Sequence, residues 1–98
     1  MSEGPQRLDK WLWFARFVRT RVLAQSLVEA GRVRVNRERT KSSSRLVRAG
    51  DVLTITLPGG VRVVAVAGFA ERRGQPAEAA RLYTDLTERG PDDRPTRP

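Results

Sequence analysis

The sequence contains no cysteine and no histidine. Disulfides, thiolate or imidazole metal sites and every nucleophile–imidazole pairing are therefore excluded. Carboxylates alone remain to hold a hard cation or to move a proton. The lack of thiols suits a reducing cytoplasm, which is the expected location. No apolar run reaches the roughly 20 residues needed to span a bilayer. Residues 1–6 lack the apolar centre of a secretory signal, so no membrane partner is expected. At 98 residues the chain has room for one small domain with a single modest core.

What the chain has in excess is positive charge, and it is unevenly placed. Residues 7–48 hold 12 Lys and Arg against three acids, Asp9, Glu29 and Glu38, a net of +9. The remaining residues hold seven basic groups against eight acids, so essentially the whole net charge of +8 lies in the first half. A surface that only needed solubility would mix the signs. A one-sided excess is the footprint of a polyanion binder.

The stretch from Thr20 to Asn36 organises that half. Leu23, Ala24, Leu27 and Val28 recur at helical spacing, with Thr20 placed to cap the first free N–H groups. After Gly31, Arg32-Val33-Arg34-Val35-Asn36 alternates strictly, which predicts a strand with both valines on one face. Gly31 suits the left-handed residue that ends a helix. The opposite face carries Arg21 and Gln25 from the helix and Arg32, Arg34 and Asn36 from the strand. Arg21 falls in the first helical turn, where the free N–H groups already favour an anion.

Around this corner the chain reads as follows. Residues 1–6 are a loose lead-in. A first helix is expected over residues 8–18, with Leu8, Trp11, Leu12, Ala15 and Val18 on its core face. Trp13 and Phe17 fall on the other side, and a later strand or helix is expected to cover them; a base-stacking role for Trp13 is the alternative. Residues 36–39 read as the tip after the strand. The polar run Thr-Lys-Ser-Ser-Ser-Arg at residues 40–45 reads as a loop whose hydroxyls and cations suit phosphate and ribose oxygens. Arg48-Ala49-Gly50-Asp51 is a tight turn. Residues 52–57 and 61–67 form a hairpin across Pro58-Gly59-Gly60 and carry one charge, Arg62, so they read as scaffold. Pro76 opens a last helix with Ala79, Leu82, Tyr83 and Leu86 as its apolar stripe, and residues 90–98 have nothing to bury.

The motifs Arg7-Leu8-Asp9-Lys10-Trp11-Leu12, Thr20-Arg21-x-x-Ala24, Gly31-Arg32-Val33-Arg34-Val35-Asn36, Ser44 and Val47-Arg48-Ala49-Gly50-Asp51 resemble, in order and spacing, the RNA-binding domain of ribosomal small-subunit protein S-four. Asp9-Lys10-Trp11-Leu12-Trp13 and the run from Arg72 to Tyr83 are similar to the bacterial ribosome-associated heat-shock protein 15 family. The resemblance implies an α+β fold: two N-terminal helices packed on a small, mostly antiparallel sheet, then a C-terminal helix and a disordered tail. It divides the chain into an RNA-binding domain at residues 7–57, a packed C-terminal hairpin strand and helix at residues 58–89, and a tail at residues 90–98. By position it implies RNA contacts from Arg7, Lys10, Arg21, Gln25, Arg32, Arg34, Asn36 and Lys41. It further implies ribosomal RNA as partner, on large subunits that still carry a nascent chain on tRNA, with peptidyl-tRNA as a further contact. Longer members continue into a basic C-terminal extension, whereas this sequence stops in a short tail of near-balanced charge.

Other classes compete with this reading. The domain is often fused to pseudouridine synthases and a tRNA synthetase, but the roughly 40 residues after Leu57 are too few for a catalytic domain. Asp9 and Asp51 are the only acids in the matched motifs, and each has an ordinary role, at a helix start and in a turn. No catalytic residue, metal or cofactor is therefore expected, and the protein is expected to be a monomer. A protein-interaction module using Trp13, Phe17 and Tyr83 as an exposed patch is one alternative, and DNA binding is another.

Overall fold

The computed structural model describes residues 4–87. Two helices, α1 (Leu8–Phe14) and α2 (Arg21–Glu29), precede a run of strands β2 (Val33–Val35), β3 (Glu38–Thr40), β5 (Val52–Leu57), β6 (Gly60–Val66) and β7 (Tyr83–Asp85), which form one antiparallel sheet in the order β3-β2-β5-β6-β7. A separate two-stranded ribbon pairs β1 (Gln6–Arg7) with β4 (Leu46–Val47). The fold is thus α+β, as the sequence led us to expect.

The core lies between the helices and the sheet. Leu8, Trp11 and Leu12 from α1 and Ala24 and Val28 from α2 are fully buried against Val33, Val35, Leu53, Ile55 and Val64. Trp11 also donates from its indole Nε1 to the Gly68 carbonyl at 2.9 Å, so the polar edge of the largest buried side chain is satisfied. The α2 stripe is narrower than its spacing predicts. Leu23 and Val22 stay exposed, and Leu27 is only half-buried.

Both N-terminal helices close with the same double bond pattern. After α2, Gly31 N–H donates to Val28 O and Arg32 N–H to Leu27 O, with Gly31 at φ +79°. After α1, Arg16 N–H donates to Trp13 O and Phe17 N–H to Leu12 O, with Arg16 at φ +67°. The first helix therefore stops at Phe14 instead of running to residue 18. A left-handed arginine is held there because both its Nε and Nη2 donate to the Gly74 carbonyl, at 3.0 and 2.8 Å. The turn folds Phe17 back onto Trp11 and Tyr83, with ring centroids 6.0 and 4.9 Å apart.

The C-terminal part departs most from the sequence reading. Pro76 does open a helix, but α3 (Pro76–Ala79) lasts one turn and passes through a 3-10 turn (Ala80–Leu82) into β7. The edge of β6 captures the segment: Arg62 Nη2 pairs with Asp85 at 2.9 Å, and Thr87 Oγ1 accepts from Val63 N–H. Tyr83 accordingly packs from a strand against Trp11 and Phe17, not along a helical stripe. The tail expected over residues 90–98 lies outside the described residues.

Trp13, Phe17 and Tyr83, the patch considered for a protein-interaction module, are not fully exposed. All three are partly buried and packed on the core. Arg73 lies 5.7 Å from the Trp13 ring centroid while its guanidinium donates to the carbonyls of Trp13 and Val18. Arg62 sits 5.2 Å over Phe17.

Candidate nucleic-acid interface

The α2–β2 corner is built as its residues dictate. Thr20 Oγ1 accepts from Leu23 N–H at 3.0 Å, which starts the helix, and Gly31 turns the chain out of it. Alternation along β2 then buries Val33 and Val35 and leaves Arg32 and Arg34 exposed. The tip is tighter than the sequence suggested. Asn36 and Arg37, at φ +51° and +77°, form a two-residue turn of the kind that favours Asn, so Glu38, Arg39 and Thr40 return as a strand. That register sets Arg39 directly opposite Arg34. The stems of Arg39 and Lys41 pass beside Gly31: a Cβ built there would lie 3.4 Å from Arg39 Cδ and 3.6 Å from Lys41 Cε. Two cations thus reach the carbonyl end of α2, where the helix dipole favours them.

A second group of donors is organised by Asp9, whose carboxylate is fully buried at the start of α1. Arg7 grips it through Nε at 3.1 Å and Nη2 at 2.9 Å. Gln25 Nε2 donates to it at 3.2 Å, and Arg21 Nη2 lies 3.5 Å away. Burial alone would push this carboxyl up. The hydrogen bonds from Arg7 and Gln25 and the charges of Arg7 and Arg21 outweigh it and hold the group below the ordinary carboxylate range. The polar loop after β3 closes the same corner, since Ser43 O and Arg45 O accept from the N–H groups of Asp9 and Leu8. Arg45 itself reaches Glu38 at 3.8 Å.

Of the eight residues implied by sequence, Arg7, Arg21 and Gln25 converge on Asp9, and Arg32, Arg34 and Lys41 line the exposed side of the corner. The other two have separate surroundings. Asn36 uses both amide atoms inside the fold, donating to Asp51 and accepting from Val52 N–H. Lys10 is half-buried with its ammonium 5.7 Å from the Phe14 ring. Sequence reading missed Arg39 as a member of the cationic face and Asp9 as the organiser of three donors. The first was legible in principle, since Asn at a two-residue turn signals a hairpin. The second depends on Gln25 sixteen residues away and had no local signal.

Among the described residues, no side chain pairs with Arg32, Arg34, Arg39 or Lys41, whereas Arg7, Arg21, Arg45 and Arg62 each have an acidic partner. Two helices, a glycine corner and a cationic strand pair thus present one exposed face suited to a polyanion. The S4 domain profile matches residues 6–53. Heat shock protein 15 of Escherichia coli strain K12 is 43% identical over 91 residues, covering 90% of this chain and 68% of that protein. The trimeric structure of Vibrio cholerae heat shock protein 15 superposes with a TM-score of 0.77 at 35% identity, covering 90% of this chain and 94% of that one. The RQC P-site tRNA stabilizing factor of Bacillus subtilis strain 168 is 35% identical over 82 residues, covering 84% of this chain and 93% of that protein.

The chain belongs to the heat shock protein 15 family. Membership makes it a non-catalytic RNA-binding protein. Among the described residues, no helix is long and apolar enough to cross a membrane.

Proposed function

We propose that the α2–β2–β3 face grips ribosomal RNA on large subunits that retain a nascent chain on tRNA, and that the protein serves there in ribosome rescue under heat stress. The observation that carries this reading is the row of unpaired cations, Arg32, Arg34, Arg39 and Lys41, on one face of a domain too small to enclose its ligand. Such a face reads folded RNA by shape and phosphates. The description of the Bacillus subtilis relative as a stabilizing factor for P-site tRNA supports the tRNA-bearing state of the subunit. Peptidyl-tRNA is then a neighbour of the same site, and the compartment is the cytoplasm. The working state is a monomer, in contrast to the Vibrio cholerae trimer.

The test is binding at one ionic strength to large subunits with and without peptidyl-tRNA, small subunits, free tRNA and duplex DNA, alongside light scattering for mass. Preference for tRNA-bearing large subunits is expected, at monomer mass. Equal affinity for all five would leave a general polyanion binder, and preference for small subunits would refute the target.

A further inference from the structure

We infer that Arg34 and Arg39 form a single clamp that closes on one RNA phosphodiester. The inference rests on the RNA-binding reading of this face and goes beyond it by assigning a subsite and its ligand chemistry. The register of β2 and β3 puts the two residues directly opposite one another, both exposed. Side chains so placed have Cβ atoms about 4.5–5.5 Å apart, and like charges there repel. Among the described residues no acidic side chain relieves that repulsion, and only the carbonyl end of α2, beside the Arg39 stem, offsets part of it. Glu38, the only acid of the hairpin, belongs to the other side of the ribbon and pairs with Arg45. Asp51, near the tip, is held by Asn36 and by the N–H of Arg48. Among the described residues neither guanidinium has a side-chain partner.

The protein pairs its arginines wherever they build the fold, as at Arg7, Arg62 and Arg73. Keeping two unpaired and adjacent at the centre of the cationic face is costly in the free protein and favourable once an anion lies between them. A phosphodiester has the required charge and several acceptor oxygens, and two planar forks can address different oxygens of one group. Arg39 contacts the same phosphate as Arg34, so binding relieves their repulsion as well as adding contacts.

The experiment is a double-mutant cycle on the full chain with Arg34→Ala, Arg39→Ala and both together, using purified bulk ribosomal RNA as probe across a salt series. Arg72→Ala, exposed and outside this face, is the equal-charge control. Each single variant is expected to bind roughly tenfold more weakly. The double variant should lose less than the product of the two, and its salt slope should fall by about one phosphate, not two. Melting temperatures of the single variants should equal or exceed that of the parent at low salt. Wild-type affinity for Arg39→Ala, fully multiplicative losses with a slope change of two, or an equal loss from Arg72→Ala would each overturn the clamp while RNA binding stands. A parent chain that fails to bind bulk ribosomal RNA would overturn both.

Discussion

Gln25 donates from Nε2 to Oδ2 of Asp9 at 3.2 Å, joining the second turn of α2 to the buried start of α1. Through this bond and the ion pairs to Arg7 and Arg21, a carboxylate with no exposure of its own fixes the aim of three donors at the surface. Asp9→Ala should therefore destabilise the fold by about 2–4 kcal/mol, somewhat under the usual cost of breaking a buried ion pair because Arg7 and Arg21 are partly solvated. RNA affinity should fall as well, at temperatures where the variant is still folded. Urea unfolding and RNA titration on one sample separate the two effects.

The same carboxylate sets an acid limit. Its value in the folded protein is lowered against an unfolded value near 3.9, so it contributes stability that is fully present above about pH 4. That contribution is lost as pH falls through the lowered folded value. Asp85 acts with the same sign, lowered chiefly by the Thr87 hydroxyl and backbone N–H and assisted by Arg62. Stability followed from pH 6 down to pH 2 should decline over the lower half of that range. Asp9→Asn should flatten the decline.

Gly31→Val tests the corner. A β-branched residue at φ +79° is strained by about 1–3 kcal/mol, and its Cβ would also lie 3.4 Å from Arg39 Cδ. Melting temperature and RNA affinity should drop together. An unchanged melting temperature would mean that the corner does not need a left-handed residue.

Arg21→Ala should weaken RNA binding by about 1–3 kcal/mol, the usual loss for a charge-assisted bond, with a small effect on melting because Arg7 still holds Asp9. Arg62→Ala should behave in the opposite way. Its guanidinium bridges Phe17, Asp85 and Thr87, so removing it should cost roughly 1 kcal/mol of stability and leave RNA affinity near that of the parent. Exposed Arg81 is a better control for net charge than Arg62, because Arg81→Ala removes the same charge without opening the sheet.

How much of this was readable in advance follows from where each signal lies. Gly31, the valines of β2 and the β5–β6 hairpin rest on local chemistry, namely a glycine at a positive φ, strict alternation and β-branched runs, and they appear where the sequence puts them. The end of α1 does not, because Arg16 adopts its conformation only with the Gly74 carbonyl, 58 residues away, to bind it. The last helix opens at Pro76 as expected but stops after one turn and gives way to β7, for a similar reason. Tyr83 and Leu86 satisfy helical spacing, but the free edge of β6 and the Arg62–Asp85 pair outweigh it. In the site, the cationic face was visible as composition and alternation. Its pairing of Arg34 with Arg39 and its dependence on buried Asp9 appear only after the chain has folded.

The bond from Trp11 to the Gly68 carbonyl bears on how small the RNA-binding unit can be made. The residues matched by the S4 profile end at position 53, yet the indole at their centre is satisfied from the far side of β6. Phe69 and Leu82 close the same core, and β6 covers the whole length of β5. A chain cut after Leu57 would bare a hydrophobic edge strand and strand a buried N–H. The cationic face is written in the first half of the sequence, but the second half covers the core behind it. Grafting or miniaturisation must therefore carry both.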